Sequence, residues 1–143
     1  MSSFSERLHP SWWMVLALGF VFPATLLILL PVNVVWGFAL GMILWAGSVL
    51  LLWLSSPVIT AKNGVLRVGK ASLEGEFISK VEVFRTDAAR HIKGPGADAR
   101  AWLCLRPWVD PVVKITLNDP ADPTPYWLVS TRRPEQLAQA LGF

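Results

Sequence analysis

"WWMVLALGFVFPATLLILL", Trp12–Leu30, decides the fold together with "VWGFALGMILWAGSVLLLWL", Val35–Leu54, from which only "PVNV" (Pro31–Val34) separates it. A helix that crosses a bilayer needs roughly 20 apolar residues. Each stretch supplies that length without a single Asp, Glu, Lys or Arg. Backbone amides in lipid must be satisfied within the segment, so both stretches are expected as helices. Pro23 is expected to kink the first of them. A cleaved signal peptide fits poorly, because "MSSFSERLH" is not a basic start and no small-x-small site follows. A buried hairpin of a soluble protein fits poorly too, because the remaining residues could not cover two helices apolar on every face.

Working outward, the uncharged region runs from Leu8 to Ala61. Residues 62–143 then carry twelve of the thirteen basic and nine of the ten acidic side chains, a net of +3. That single change in composition predicts a boundary near residue 56. Residues 1–56 are read as an N-terminal tail and a transmembrane hairpin, and residues 57–143 as one small domain. Arg7 precedes the hairpin and Lys62, Arg67 and Lys70 follow it, whereas its turn is uncharged. Short basic loops stay in the cytoplasm, which predicts a multi-pass protein of the plasma (inner) membrane with both termini cytoplasmic. Trp12, Trp13 and Trp53 fall near the expected inner interface and Trp36 near the outer one.

The charged part reads as strands. "PVITAKNGVLRVGK" places Asn63-Gly64 between two β-branched runs, a strong hairpin signal. "EFISKVEVFR" alternates, so Phe77, Ser79, Val81 and Val83 are expected on one face and Ile78, Lys80, Glu82 and Phe84 on the other. Thr86–Gly94 reads as a short helix with Thr86 or Asp87 as its cap and Gly94 as its stop. "AWLCLR" and "VVKITL" read as strands joined by the turn "PWVDP", and "YWLVST" as a further strand. Pro134 suits the first position of a closing helix, residues 134–141, with Leu137 and Leu141 on one face. The fold class is α+β: a two-helix transmembrane hairpin, then a small antiparallel barrel or sandwich of six or seven strands closed by the C-terminal helix.

At this point "ERLHPSWW", "GVLRVGKASL", "LRPWV" and "NDPADPTPYWLVSTRRPEQLAQAL" resemble a family of small actinobacterial membrane proteins, domain of unknown function 3093. The resemblance covers nearly the whole chain. It implies two spans and a cytoplasmic β-domain similar to bacterial pleckstrin-homology-like modules. It brings no activity and no catalytic role onto Arg106, Trp108, Tyr126, Trp127, Arg132 or Arg133.

Chemistry-bearing residues are sparse. One cysteine, Cys104, excludes an intrachain disulfide and a Cys-pair metal site, and its apolar neighbours suggest a buried thiol. Neither His9 nor His91 lies in a motif with a nucleophile. Asp119 and Asp122 could bind a hard cation, but the spacing lacks further ligands, so no metal and no cofactor is expected. "GPGADAR" does not sit between a strand and a helix as a phosphate loop would. The basic residues form no run, which argues against nucleic acid. No ionisable residue lies inside either span, which argues against a pump or transporter.

Anion recognition and association are left. Lys62, Arg67 and Lys70 could meet an anionic leaflet, or could merely fix orientation. Arg132 and Arg133 at a helix start could hold a phosphate or carboxylate, or pair with neighbouring acids. Arg106 and Trp108 complete the candidate binding set. Gly37 and Gly41 form a Gly-x-x-x-Gly, suited to packing inside the hairpin, to a homo-oligomer or to a membrane-protein partner. The expected function is a non-enzymatic, membrane-anchored module that binds a protein or anionic headgroups. The alternatives are an accessory subunit of a larger membrane complex, and an enzyme using the loop around Trp108, Asp119 and Asp122.

Overall fold

The computed structural model describes residues 3–143. The chain forms two compact units, one made of His9–Ser56 and the other of the segment up to Leu8 together with Pro57–Phe143.

The His9–Ser56 unit is helical. Helix α1 spans Trp12–Gly19, α2 Val21–Leu29 and α3 Val34–Leu54. The break between α1 and α2 falls where Pro23 dictates. Proline has no N–H for the carbonyl four residues back, Gly19, and its ring crowds that carbonyl. The Phe20 amide instead bonds the Ala17 carbonyl at 3.2 Å, a tighter turn. Asn33 starts α3, its side-chain oxygen accepting from the Val35 amide at 2.9 Å and the Trp36 amide at 3.4 Å. Gly37 and Gly41 are the buried residues of α3. A Cβ on Gly37 would lie 3.2 Å from Leu26 Cδ1, and one on Gly41 3.0 Å from Phe22 Cδ2. So the glycine pair lets α3 press against α2. The two stretches are long and apolar enough to cross a membrane, and only 6% and 11% of them is buried.

The other unit holds two four-stranded sheets. The first has the order β1-β2-β3-β4: Phe4–Arg7, Val58–Lys62, Val65–Val68 and Ala71–Glu74. The second has the order β5-β7-β8-β6, with β5 Ile78–Phe84, β6 Trp102–Cys104, β7 Val112–Leu117 and β8 Tyr126–Ser130. Helix α4 (Thr86–Lys93) lies between β5 and β6 in sequence, and α5 (Pro134–Ala140) ends the fold.

One core joins the sheets. Phe4, Leu8, Ile59, Leu66 and Val68 from the first meet Val113, Ile115, Trp127 and Val129 from the second, with Leu137 of α5 among them. A second cluster packs Ala89 and Ile92 of α4 on Val112, Tyr126 and Leu128. The second sheet is therefore covered on both faces. That is why "YWLVS" is buried at every position instead of alternating.

Asn63 and Gly64 turn the β2–β3 hairpin with φ of 53° and 73°, the positive values such a two-residue loop needs. Gly69, at φ 61°, does the same between β3 and β4, a strand the sequence patterning leaves unassigned.

Four expectations need correction. The residues before the hairpin are not a tail, because Phe4–Arg7 pairs antiparallel with β2, Arg7 opposite Val58. The strands number eight among the described residues. The second sheet is mixed, because β6 does not pair with β7; it runs parallel to β8, and β7 lies beyond. A parallel pair needs a crossover, which β7 provides. Finally, a bulge between Ile78 and Lys80 puts Ile78 in the main core on the same side as Val81, against strict alternation. The sheets do not close into a barrel.

Candidate functional site

The TRRP segment is a clamp on β1. Glu6 is buried, and its carboxylate accepts from the Thr131 hydroxyl and, at 3.2 Å, from the Arg132 amide. The Arg133 amide donates back to Thr131 Oγ1 at 3.2 Å. The Arg133 guanidinium donates to the Ser5 carbonyl at 2.9 Å and lies 5.2 Å from the Phe4 ring. Gln136 also accepts from it, at 3.3 Å. A buried carboxylate is tolerated only when its oxygens are hydrogen-bonded, and this segment supplies the donors. Position 6 could not be flagged from sequence, since its partners lie some 125 residues away.

The acidic loop holds its own shape. Asp119 accepts from the Ala121 amide at 2.8 Å and Asp122 from the Thr124 amide at 2.9 Å. The Thr124 hydrogen bond holds the Asp122 carboxyl below its ordinary pKa. Among the described residues no three His, Cys, Asp or Glu gather where a metal could sit.

The Arg106–Asp110 turn anchors α4. Asp110 accepts from the Thr86 amide at 2.8 Å and so caps the helix start, in place of Thr86 or Asp87. Lys93, at the other end, donates to the Val109 carbonyl at 3.0 Å and the Asp110 carbonyl at 2.6 Å. Burial lowers the Lys93 pKa, and the nearby Asp110 charge opposes that. Arg106 donates its amide to Ser130 Oγ at 3.1 Å, and its guanidinium stands 5.9 Å from the half-buried Trp108 ring. Cys104 is buried, which raises its thiol pKa, with Arg106 acting the other way.

His9 lies in the helical unit with its ring 5.2 Å from that of Trp53. His91 is exposed on α4, and its carbonyl accepts from the Gly96 amide at 2.9 Å.

The outer face of the first sheet also carries exposed charge. Along β1 and β3 the odd residues alternate outward, giving Arg7 and Arg67. Thr60 faces Arg67 across β2–β3, and Lys62 faces Val65. Thr60, Lys62, Asn63, Val65 and Arg67 line an open groove of about 370 Å³. Lys70 follows in the β3–β4 turn. No ion pair among the described residues engages Lys62, Arg67 or Lys70. Of the sequence candidates, then, these three lie on one sheet, whereas Arg106 and Arg133 are held in the fold's own contacts.

A family model described as "Protein of unknown function (DUF3093)" matches residues 3–141. No curated protein and no solved structure matches the chain.

Proposed function

Because the chain belongs to the DUF3093 family of proteins of unknown function, we propose from its own architecture that it is a membrane-anchored, non-enzymatic interaction module. The helices form a hairpin in the plasma membrane, and the two-sheet unit stands at the cytoplasmic face to bind there. We read that unit as pleckstrin-homology-like in its parts, two sheets with a C-terminal helix across them.

One observation carries the reading: β1, before the hairpin, pairs with β2, after it. Strands of one sheet share one compartment, so any crossing by the helices between them comes in pairs, which supports a two-span hairpin over a single span. A single span, or a signal peptide cleaved after the first helix, would take β1 out of its sheet. The apolar exposure of the helices supports the same reading. Trp12, Phe20, Ile28, Val35 and Trp36 are each at least 70% exposed, far more than water tolerates in one region. A helix of 21 residues is about 31 Å long, the thickness of a hydrocarbon core. The basic flanks supply the orientation.

The test is a pair of reporters active only in the cytoplasm, one before Ser3 and one after Phe143, with alkaline extraction of the membranes. Both reporters active and the chain retained in the pellet is the expected result. An inactive reporter at either end, or release into the supernatant, defeats the reading.

A further inference from the structure

We propose that one end of the first sheet, marked by Arg7, Arg67 and Lys70, is a contact edge for the phosphate groups of anionic lipids; this rests on the membrane-anchored reading above. Charge is distributed unevenly along the strands of this sheet. At the end where β1 leaves the sheet and β2 enters it, Arg7 stands opposite Val58. The Gly69 amide bonds the Val58 carbonyl at 2.9 Å, which puts Lys70 at that same end. Arg67 faces Thr60, two residues further along. Arg7 and Lys70 thus share the end row, and Arg67 stands about 7 Å along from it at 3.3 Å per residue, midway to the row of Lys62. The opposite end differs. Lys62 faces Val65, and Val65 faces Glu74, so a carboxylate shares that row. Glu76 follows nearby in sequence.

The basic end is also the end joined to the helices. Three residues separate Leu54 of α3 from Val58, and four separate Arg7 from Trp12 of α1. On the membrane-anchored reading, links of three and four residues leave this end of the sheet less room than the other to stray beyond the roughly 8–10 Å over which a surface charge is felt. Each such charge adds about fivefold to the attraction for an anionic surface. Lys62, beside the Asn63-Gly64 turn, lies further along the strand and shares its row with an acid, so it contributes least. A role in setting orientation alone would not distinguish the two ends.

The full chain, purified in detergent, is titrated with phosphatidylglycerol or phosphatidylcholine and retained lipid is counted by native mass spectrometry. The same protein is tested for flotation with purely zwitterionic vesicles. We expect flotation in every case, and a preference for phosphatidylglycerol of about tenfold or more that the Arg67→Gln/Lys70→Gln double variant largely loses and Lys62→Gln keeps to within about twofold. These side chains are exposed, so circular dichroism should show both variants folded. Equal retention of the two lipids, or equal loss in the double variant and Lys62→Gln, overturns the inference while leaving the anchor intact. Failure to float in zwitterionic vesicles removes the anchor, and the inference with it.

Discussion

Glu6 sits on β1 with its carboxylate turned into the fold, where the Thr131 hydroxyl and the Arg132 amide donate to it. Replacing it by Ala leaves a buried hydroxyl and a part-buried amide without their acceptor. The expected cost is about 2 kcal/mol of stability in thermal unfolding followed by circular dichroism, with Glu6→Gln milder because one acceptor survives. Cys104 offers a test by pH. Its folded pKa is raised, so the folded chain keeps a proton that the unfolded chain releases at lower pH. The stability this lends is complete below the unfolded thiol pKa and is lost as pH rises through the folded one. Near neutral pH the folded thiol should therefore react with a disulfide reagent at least about tenfold more slowly than in denaturant. Much at this scale was legible in sequence. Asn63-Gly64 announced its turn, and the apolar neighbours of Cys104 announced its burial. Glu6 was not, because a lone acid beside an arginine reads as surface until its distant donors are known.

At the scale of elements, the α2–α3 contact depends on two missing side chains. Gly41→Ala would place a Cβ 3.2 Å from the Phe22 carbonyl oxygen as well as 3.0 Å from its ring. Backbone cannot give way as a flexible side chain can, so we expect a loss of about 1–3 kcal/mol in detergent unfolding. Gly47, on the same helix, has nothing within 4 Å of its Cβ position. Gly47→Ala should be neutral or stabilise by up to about 1 kcal/mol, which makes it the matched control. β1 is the second dependent element. Deleting residues 3–8 removes Phe4, Glu6 and Leu8 from the core and exposes the edge of β2. The isolated 57–143 fragment should consequently aggregate or melt earlier than the full chain. Sequence periodicity found the helices because a long uncharged run has few other solutions. It found β5 but not its bulge, since one extra residue at Ser79 leaves no compositional mark. It also misassigned the partner of β6: two strands joined by a short turn read as a hairpin, and only β8 lying between them shows otherwise.

For the whole molecule, the change in charge density near residue 56 located the second boundary of the hairpin, and the structure adds that the fold begins on the other side of it. Two stretches separated by the helical unit complete one sheet, so both flanks of that unit belong to one fold. The candidate site was half legible. Lys62, Arg67 and Lys70 stood out by their place after the hairpin, but the grouping with Arg7, and the acid that shares the row of Lys62, needed the strand register.

The central claim is that the helical hairpin crosses the bilayer twice with both ends on the inner side, and Val32, 77% exposed in its turn, reports on it directly. Single cysteines placed at Val32, at Ser3 and at Phe143 in a Cys104→Ser background are treated in intact cells with a membrane-impermeant thiol reagent. A hairpin that crosses twice should give labelling of the Val32→Cys protein from outside, and of the other two only after the membrane is opened. Labelling of either end in intact cells, or protection of position 32 until permeabilisation, would contradict it.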